Sequence, residues 1–210
     1  MRTLVIDTAT AACSVALIDA GTVIAAAHES VGRGHAERLM PMIAALPDGG
    51  KADRVLVDCG PGSFTGIRVG LAAALGLGIG WSAPVAGYGS LASIAASAFA
   101  ERPDLTSLVV ALEGGHGEVF MQPFCANPLA EAAPLVSLKP ADAIAAIGDL
   151  PVIGSGLRWL EGLTAAQSLG DATPRAADVL LLPESFASLP PRPVYGRAPD
   201  AKPMAAVSQG

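Results

Sequence analysis

The chain's hydrophobic positions fall into short strand-like runs separated by stretches with helical spacing. Arg2–Thr8 carries Leu4, Val5 and Ile6 in unbroken succession, which predicts a buried strand. Cys13–Asp19 predicts a second strand, and Val23–Ala27 a third after a tight turn at Gly21-Thr22. Links this short imply an antiparallel meander. From His35 to Leu46 the period changes. Leu39, Met42, Ile43 and Leu46 recur at offsets of three and four, as on a helix face. Pro41 lies inside that helix and should kink it or delay its start. Arg54–Gly60 returns to a strand, Thr65–Ile79 to a helix, Pro84–Gly89 to a short strand, and Ser90–Glu101 to a helix with Ser90 as N-cap.

After a joint at Arg102–Thr106 the order begins again. Ser107–Leu112 and Gly117–Phe124 predict a hairpin, and Ala133–Leu138 adds a strand. Pro140–Gly148 reads as a short helix with a proline near its start. Pro151–Gly156 is a strand entering a turn, and Ala176–Leu189 a helix broken near Pro183. The predicted class is α/β, with two β-β-β-α-β-α-β-α units and the second one reduced. That duplicated order is the architecture of the actin, sugar kinase and Hsp70 superfamily (ASKHA, RNase H-like). The expected bounds are residues 1–103, 104–190 and a proline-rich tail, 191–210, partly extended or disordered.

Composition narrows the function. Hydrophobic residues make up 51%, charged residues 15% and aromatics 4%, with a net charge of -6. So acidic a chain, without a basic run, is not expected to hold nucleic acid strongly by itself. Scarce aromatics disfavour a base-stacking platform. The uncharged stretch Val69–Ala100 is broken by glycines and Pro84 into pieces shorter than the roughly 20 residues a membrane span needs. Asp7 interrupts the first apolar run, so no signal peptide is expected. Cys13, Cys59 and Cys125 fit neither zinc spacing nor a disulfide framework, which points to reduced thiols and a cytoplasmic location.

Several constellations invite chemistry. In actin-like folds an Asp-x-Gly-Thr hairpin cradles phosphate. Here the loop is Asp7-Thr8-Ala9-Thr10, and the Cβ of Ala9 obstructs close backbone approach. Asp7, Thr8 and Thr10 are therefore a weak remnant of such a loop, and no cofactor is expected. A small-molecule kinase or ATPase of this superfamily remains the enzymatic alternative. His28, His35 and His116 lack the i, i+4 spacing of a helical metal pair, and His35 reads as a solvated or capping residue. Ser63 lies in "GPGSFTG", which lacks the glycine two residues after a nucleophile-elbow serine. Ser63 and Thr65 read as helix caps. The helix that follows is apolar nearly all round, so both its sides need cover. Gly66, Gly70, Ala73, Ala74 and Leu77 form one stripe, and Ile67, Leu71, Leu75 and Ile79 another. Cover from within the chain and cover by a partner both fit. Arg68, the only charge there, is disfavoured in a first turn and should have a carboxylate partner.

The blocks "LVIDTATAACSVALID", "HAERLMPMI", "DCGPGSFTGIRVGLAAALGLG" and "PVYGRAPDA" resemble the bacterial TsaB (YeaZ) family over nearly the whole chain. "GPGSFTGIRVGL" is the most specific of them. The resemblance implies a non-catalytic subunit in making the threonylcarbamoyl modification of tRNA adenosine-37. It implies partnership with the catalytic subunit TsaD and the ATPase TsaE, and a homodimer when alone. It also implies that the two helices pack against a partner as a bundle, through Leu39, Met42, Ile43, Ile67, Arg68, Gly70, Leu71, Ala74 and Leu75. One block departs: where the family commonly has a basic pair before Gly-Glu-Val-Tyr, this chain reads "LEGGHGEVF", with Gly115-His116 at the pair.

Overall fold

A computed structural model describes residues 1–196. Most of the expected tail, including the end of "PVYGRAPDA", lies outside the described residues. The first sheet contains β1 (Arg2–Asp7), β2 (Ala12–Asp19), β3 (Thr22–Ser30), β4 (Arg54–Asp58) and β5 (Val85–Tyr88) in the order β3-β2-β1-β4-β5. β1–β2 and β2–β3 are antiparallel, as the short links require; β1–β4 and β4–β5 are parallel. Parallel neighbours need a crossover, supplied by α2 (Phe64–Trp81) between β4 and β5. Leu4 and Ile6 join the core under α1 (His35–Ala44) and α2, whereas Val5 joins the core on the other face. This alternation explains the unbroken apolar run, because the central strand is buried on both sides.

The second sheet repeats the plan with shorter outer strands. β6 (Ser107–Glu113) pairs antiparallel with β7 (Val119–Cys125), which is flanked by β8 (Ala130–Glu131) and β9 (Val136–Leu138). On its other side β6 pairs parallel with β10 (Val152–Ile153), and β10 with β11 (Ser168–Gly170). The fold is thus two actin-like modules, the second reduced. α3 (Ser90–Glu101) lies between the sheets in a shared core with Val5, Leu56, Val110 and Phe120. α4 (Pro140–Ile147) closes the outer face of the second sheet through Ala143 and Ile147.

Several elements differ from expectation. Ser90 is the first residue of α3 rather than its cap; Gly89 holds the cap position. The hydroxyl of Ser90 is drawn instead to Asp58, 32 residues away, with distances of 2.8 and 2.7 Å to its two carboxylate oxygens. The helix expected at 176–189 is two 3-10 turns, Ala176–Leu181 and Glu184–Phe186, on either side of Pro183. Ala176, Val179, Leu182 and Ala187 cover the first sheet beside α3, so this late segment packs back on the chain's first half. α1 starts at His35 despite Pro41, which is exposed. α2 runs 18 residues and, by length and composition, could cross a membrane. Gly66, Ile67, Gly70, Leu71, Ala74 and Gly78 are buried on it, so it forms a wall of the fold.

Candidate interaction surface

The β1–β2 loop and the first turns of α2 are built on one another. Ser63 N–H donates to the Ala9 carbonyl at 2.6 Å, and the Thr8 hydroxyl donates to the Gly66 carbonyl at 2.7 Å. Approach this close requires glycine: a Cβ at Gly62 would strike the Ala9 carbonyl, and one at Gly66 the Thr8 carbonyl. At Gly70 a Cβ would meet the Thr8 hydroxyl. Gly62, Gly66 and Gly70 therefore seat the helix on the loop. Ser63 is the N-cap, accepting the Gly66 N–H at 3.2 Å.

The phosphate-loop remnant is closed on itself. Ala9 N–H donates to the Asp7 carboxyl and Ala12 N–H to the Thr10 hydroxyl. Asp7 and Thr8 are fully buried, and Asp7 also accepts the Tyr88 hydroxyl at 3.1 Å. Asp58, at the end of the neighbouring strand, is equally buried and accepts Gly60 N–H at 2.7 Å besides Ser90. Burial pushes the Asp58 carboxyl up to about 6, against hydrogen bonds that favour its charge. Burial, then the charge of Asp58, raises Asp7 further above the usual carboxylate range. His35 is neither solvated nor a cap. It is 3% exposed, and its Nε2 lies 2.8 Å from the Thr10 carbonyl and 3.2 Å from that of Ala12, pinning the same loop. All three cysteines are free; burial lifts Cys13 and Cys59 to about 11, so they are inert as nucleophiles near neutral pH. Among the described residues, no group of three or more His, Cys, Asp or Glu could hold a metal ion.

The outer side of α2 is different. Of the nine residues expected at an interface, Leu39, Met42, Ile43, Ile67, Gly70, Leu71 and Ala74 are buried in the chain's own core. Only Arg68 and Leu75 reach the surface. They lie on a second stripe with Phe64, Ala72 and Ile79, spaced by three and four. Phe64 is 64% exposed, Leu75 43% and Ile79 83%; Met40, on α1, is 47% exposed. Arg68 has no carboxylate partner among the described residues. Its guanidinium lies 3.2 Å from the Phe64 ring centroid and donates to the Tyr195 hydroxyl at 2.8 Å. An aromatic face and a phenol thus take the place of the expected carboxylate. At the far end of α2 an open groove of about 630 Å³ is lined by Leu75, Ile79, Pro84, Val85 and Pro191, among others.

Residues 24–149 match a family model described as TsaD, tRNA N6-adenosine threonylcarbamoyltransferase. The chain is 39% identical over 125 residues to the tRNA threonylcarbamoyladenosine biosynthesis protein TsaB of Escherichia coli, a match covering 57% of this chain and 53% of that protein. It therefore spans about half the length of that relative. An uncharacterised protein of Mycobacterium bovis is 31% identical over 96% of this chain and 94% of its own length. Among solved structures, YeaZ from Pseudomonas aeruginosa superposes with a TM-score of 0.77 at 26% identity, over 92% of this chain and 99% of that one. Sequence blocks, two-sheet topology and these matches agree: the chain belongs to the TsaB (YeaZ) family.

Proposed function

We propose that this chain is a non-catalytic scaffold and activator subunit in the synthesis of N6-threonylcarbamoyladenosine at position 37 of tRNA. It binds the catalytic subunit TsaD through the outer face of α2, with TsaE as a further partner, and the same face pairs two copies when TsaD is lacking. The observation that carries this reading is the exposed apolar stripe Phe64, Ala72, Leu75 and Ile79, whose one charge, Arg68, is stacked on an aromatic ring. Covering such a stripe contributes through apolar burial, less the costs of association. Of the seven buried candidates, Ile67, Gly70, Leu71 and Ala74 anchor the inner side of α2 and Leu39, Met42 and Ile43 of α1 pack in the same core, while Arg68 and Leu75 meet the partner. The chain's acidity fits a subunit that leaves the tRNA to others.

Binding of purified TsaD, followed by calorimetry and co-purification, tests the proposal. Leu75→Asp and Ile79→Asp should abolish binding while far-UV circular dichroism stays native. A wild-type chain that remains a monodisperse monomer and ignores TsaD at micromolar concentration would sink it. The kinase or ATPase reading predicts stoichiometric Mg-ATP binding by the isolated chain. The inward-turned Asp7 carboxyl and the self-bonded loop weigh against that outcome.

A further inference from the structure

The carboxyl groups of Asp7 and Asp58 form a pair that the scaffold reading does not use. β1 and β4 are parallel neighbours, with Ile6 opposite Val57, so the next residue of each strand is an aspartate. Both side chains are fully buried, one residue beyond a paired position of adjacent strands, and the Asp58 charge helps to raise the Asp7 carboxyl. Among the described residues, the titratable groups facing them are the Tyr88 phenol from β5, the Cys13 thiol from β2 and the Cys59 thiol just after β4. None of these supplies a positive charge. The one imidazole bonded to the β1–β2 loop, His35, is engaged with the carbonyls of Thr10 and Ala12. Two like charges in such a place cannot both persist. The donors are unequal: Asp58 receives Gly60 N–H and the Ser90 hydroxyl at 2.7–2.8 Å, at the N-terminus of α3. Asp7 receives Ala9 N–H and the Tyr88 hydroxyl at 3.2 and 3.1 Å. The charge belongs on Asp58 and the proton on Asp7.

We propose that Asp7 and Asp58 share one proton, held on Asp7, and that this proton clasps the ends of β1 and β4 and thereby fixes the two loops that seat α2. Asp7 opens the loop whose Thr8 and Ala9 bond to Gly66 and Ser63; Asp58 opens the loop that ends at Ser63. Removing the proton places two charges between those loops and loosens the first turns of α2. The consequence for partner binding rests on the proposed role of the α2 face, but the clasp itself does not.

Both carboxyls are raised in the folded state, so the pair's contribution to stability is fully present below about pH 4, the usual carboxylate range. It is lost as pH rises, first through about 6 for Asp58 and then at higher pH for Asp7. Infrared spectroscopy of the intact chain should show a protonated carboxylic acid at pH 7 that Asp7→Asn removes. Melting temperature should fall in wild type between pH 6 and 9, whereas Asp7→Asn, whose amide can donate to Asp58, should lose most of that slope. Amide exchange at residues 60–66, corrected for intrinsic rate, should rise with pH in wild type only. If wild type shows no protonated carboxyl at pH 7, the proposal is wrong, whatever the variant does. Parallel pH profiles for the two chains would overturn it as well. TsaD is in none of these measurements, so failure of the scaffold reading would leave their outcome unaffected.

Discussion

Apart from the extra strand β9 beside β7, the two sheets share one strand order, yet their outer faces carry different structures. In the first, the β4–β5 crossover is an 18-residue helix seated on the β1–β2 loop by glycines and capped by Ser63. In the second, only a 3-10 turn, Ser155–Trp159, and loop connect β10 to β11, and the sheet is closed by the eight residues of α4. Lys139, the N-cap of α4, makes no side-chain cap bond; Pro140 sets the start instead. Shared topology thus fixes the core and leaves the surface free. The first half uses its crossover to display apolar side chains, and the second keeps only what closes its sheet.

Substitutions in the two halves test that contrast. Gly66→Leu should have the largest effect, because its Cβ runs into the carbonyl of fully buried Thr8. A loss of at least about 3 kcal/mol is expected in denaturant unfolding; an unchanged midpoint would mean that α2 is not seated on the loop. In the second half, Ile147→Ala removes the 2%-exposed anchor of α4 and should cost about 2–5 kcal/mol. If it costs nothing, α4 does not close that sheet. Ser63→Ala removes the α2 cap and should cost about 1 kcal/mol by thermal melting. Leu75→Asp, on the displayed face, should change stability by no more than about 0.5 kcal/mol. A larger loss there would show that the outer face belongs to the fold.

The sequence disclosed what depends on local pattern. The runs of β1, β2 and β4 are long and buried on both sides, and α1 has clear three-four spacing, so these elements stood out. β8, β10 and β11 have only two or three residues each, and pairing with longer neighbours defines them, which no local period records. Hydrophobicity alone does not separate the inner and outer sides of α2, because the helix is apolar nearly all round. Gly66, Gly70, Ala74 and Gly78 mark the inner side at four-residue spacing, where the backbone of α2 comes closest to its neighbours. The role of Ser90 depended on a carboxylate 32 residues away. The Asp7–Asp58 pair left one faint signal: "VID" and "LVD" each end a buried strand in aspartate.

The way the chain returns to its own beginning bears on how it is made. Leu189 exchanges both backbone hydrogen bonds with Gly87, and Val194 N–H donates to the Cys59 carbonyl. Ala176 N–H reaches the Ser14 hydroxyl. A ribosome adding about 5–20 residues per second releases the first sheet long before it delivers these last pieces. Until then Val5, Ala16, Ile18 and Leu56 lack part of their cover, and the edge at β5 stays open. A nascent chain stalled near residue 150 would hold a first half whose strands are all present but whose inner wall is unfinished. The moment of completion is set by the arrival of the C-terminal segment, not by the order in which the strands emerge.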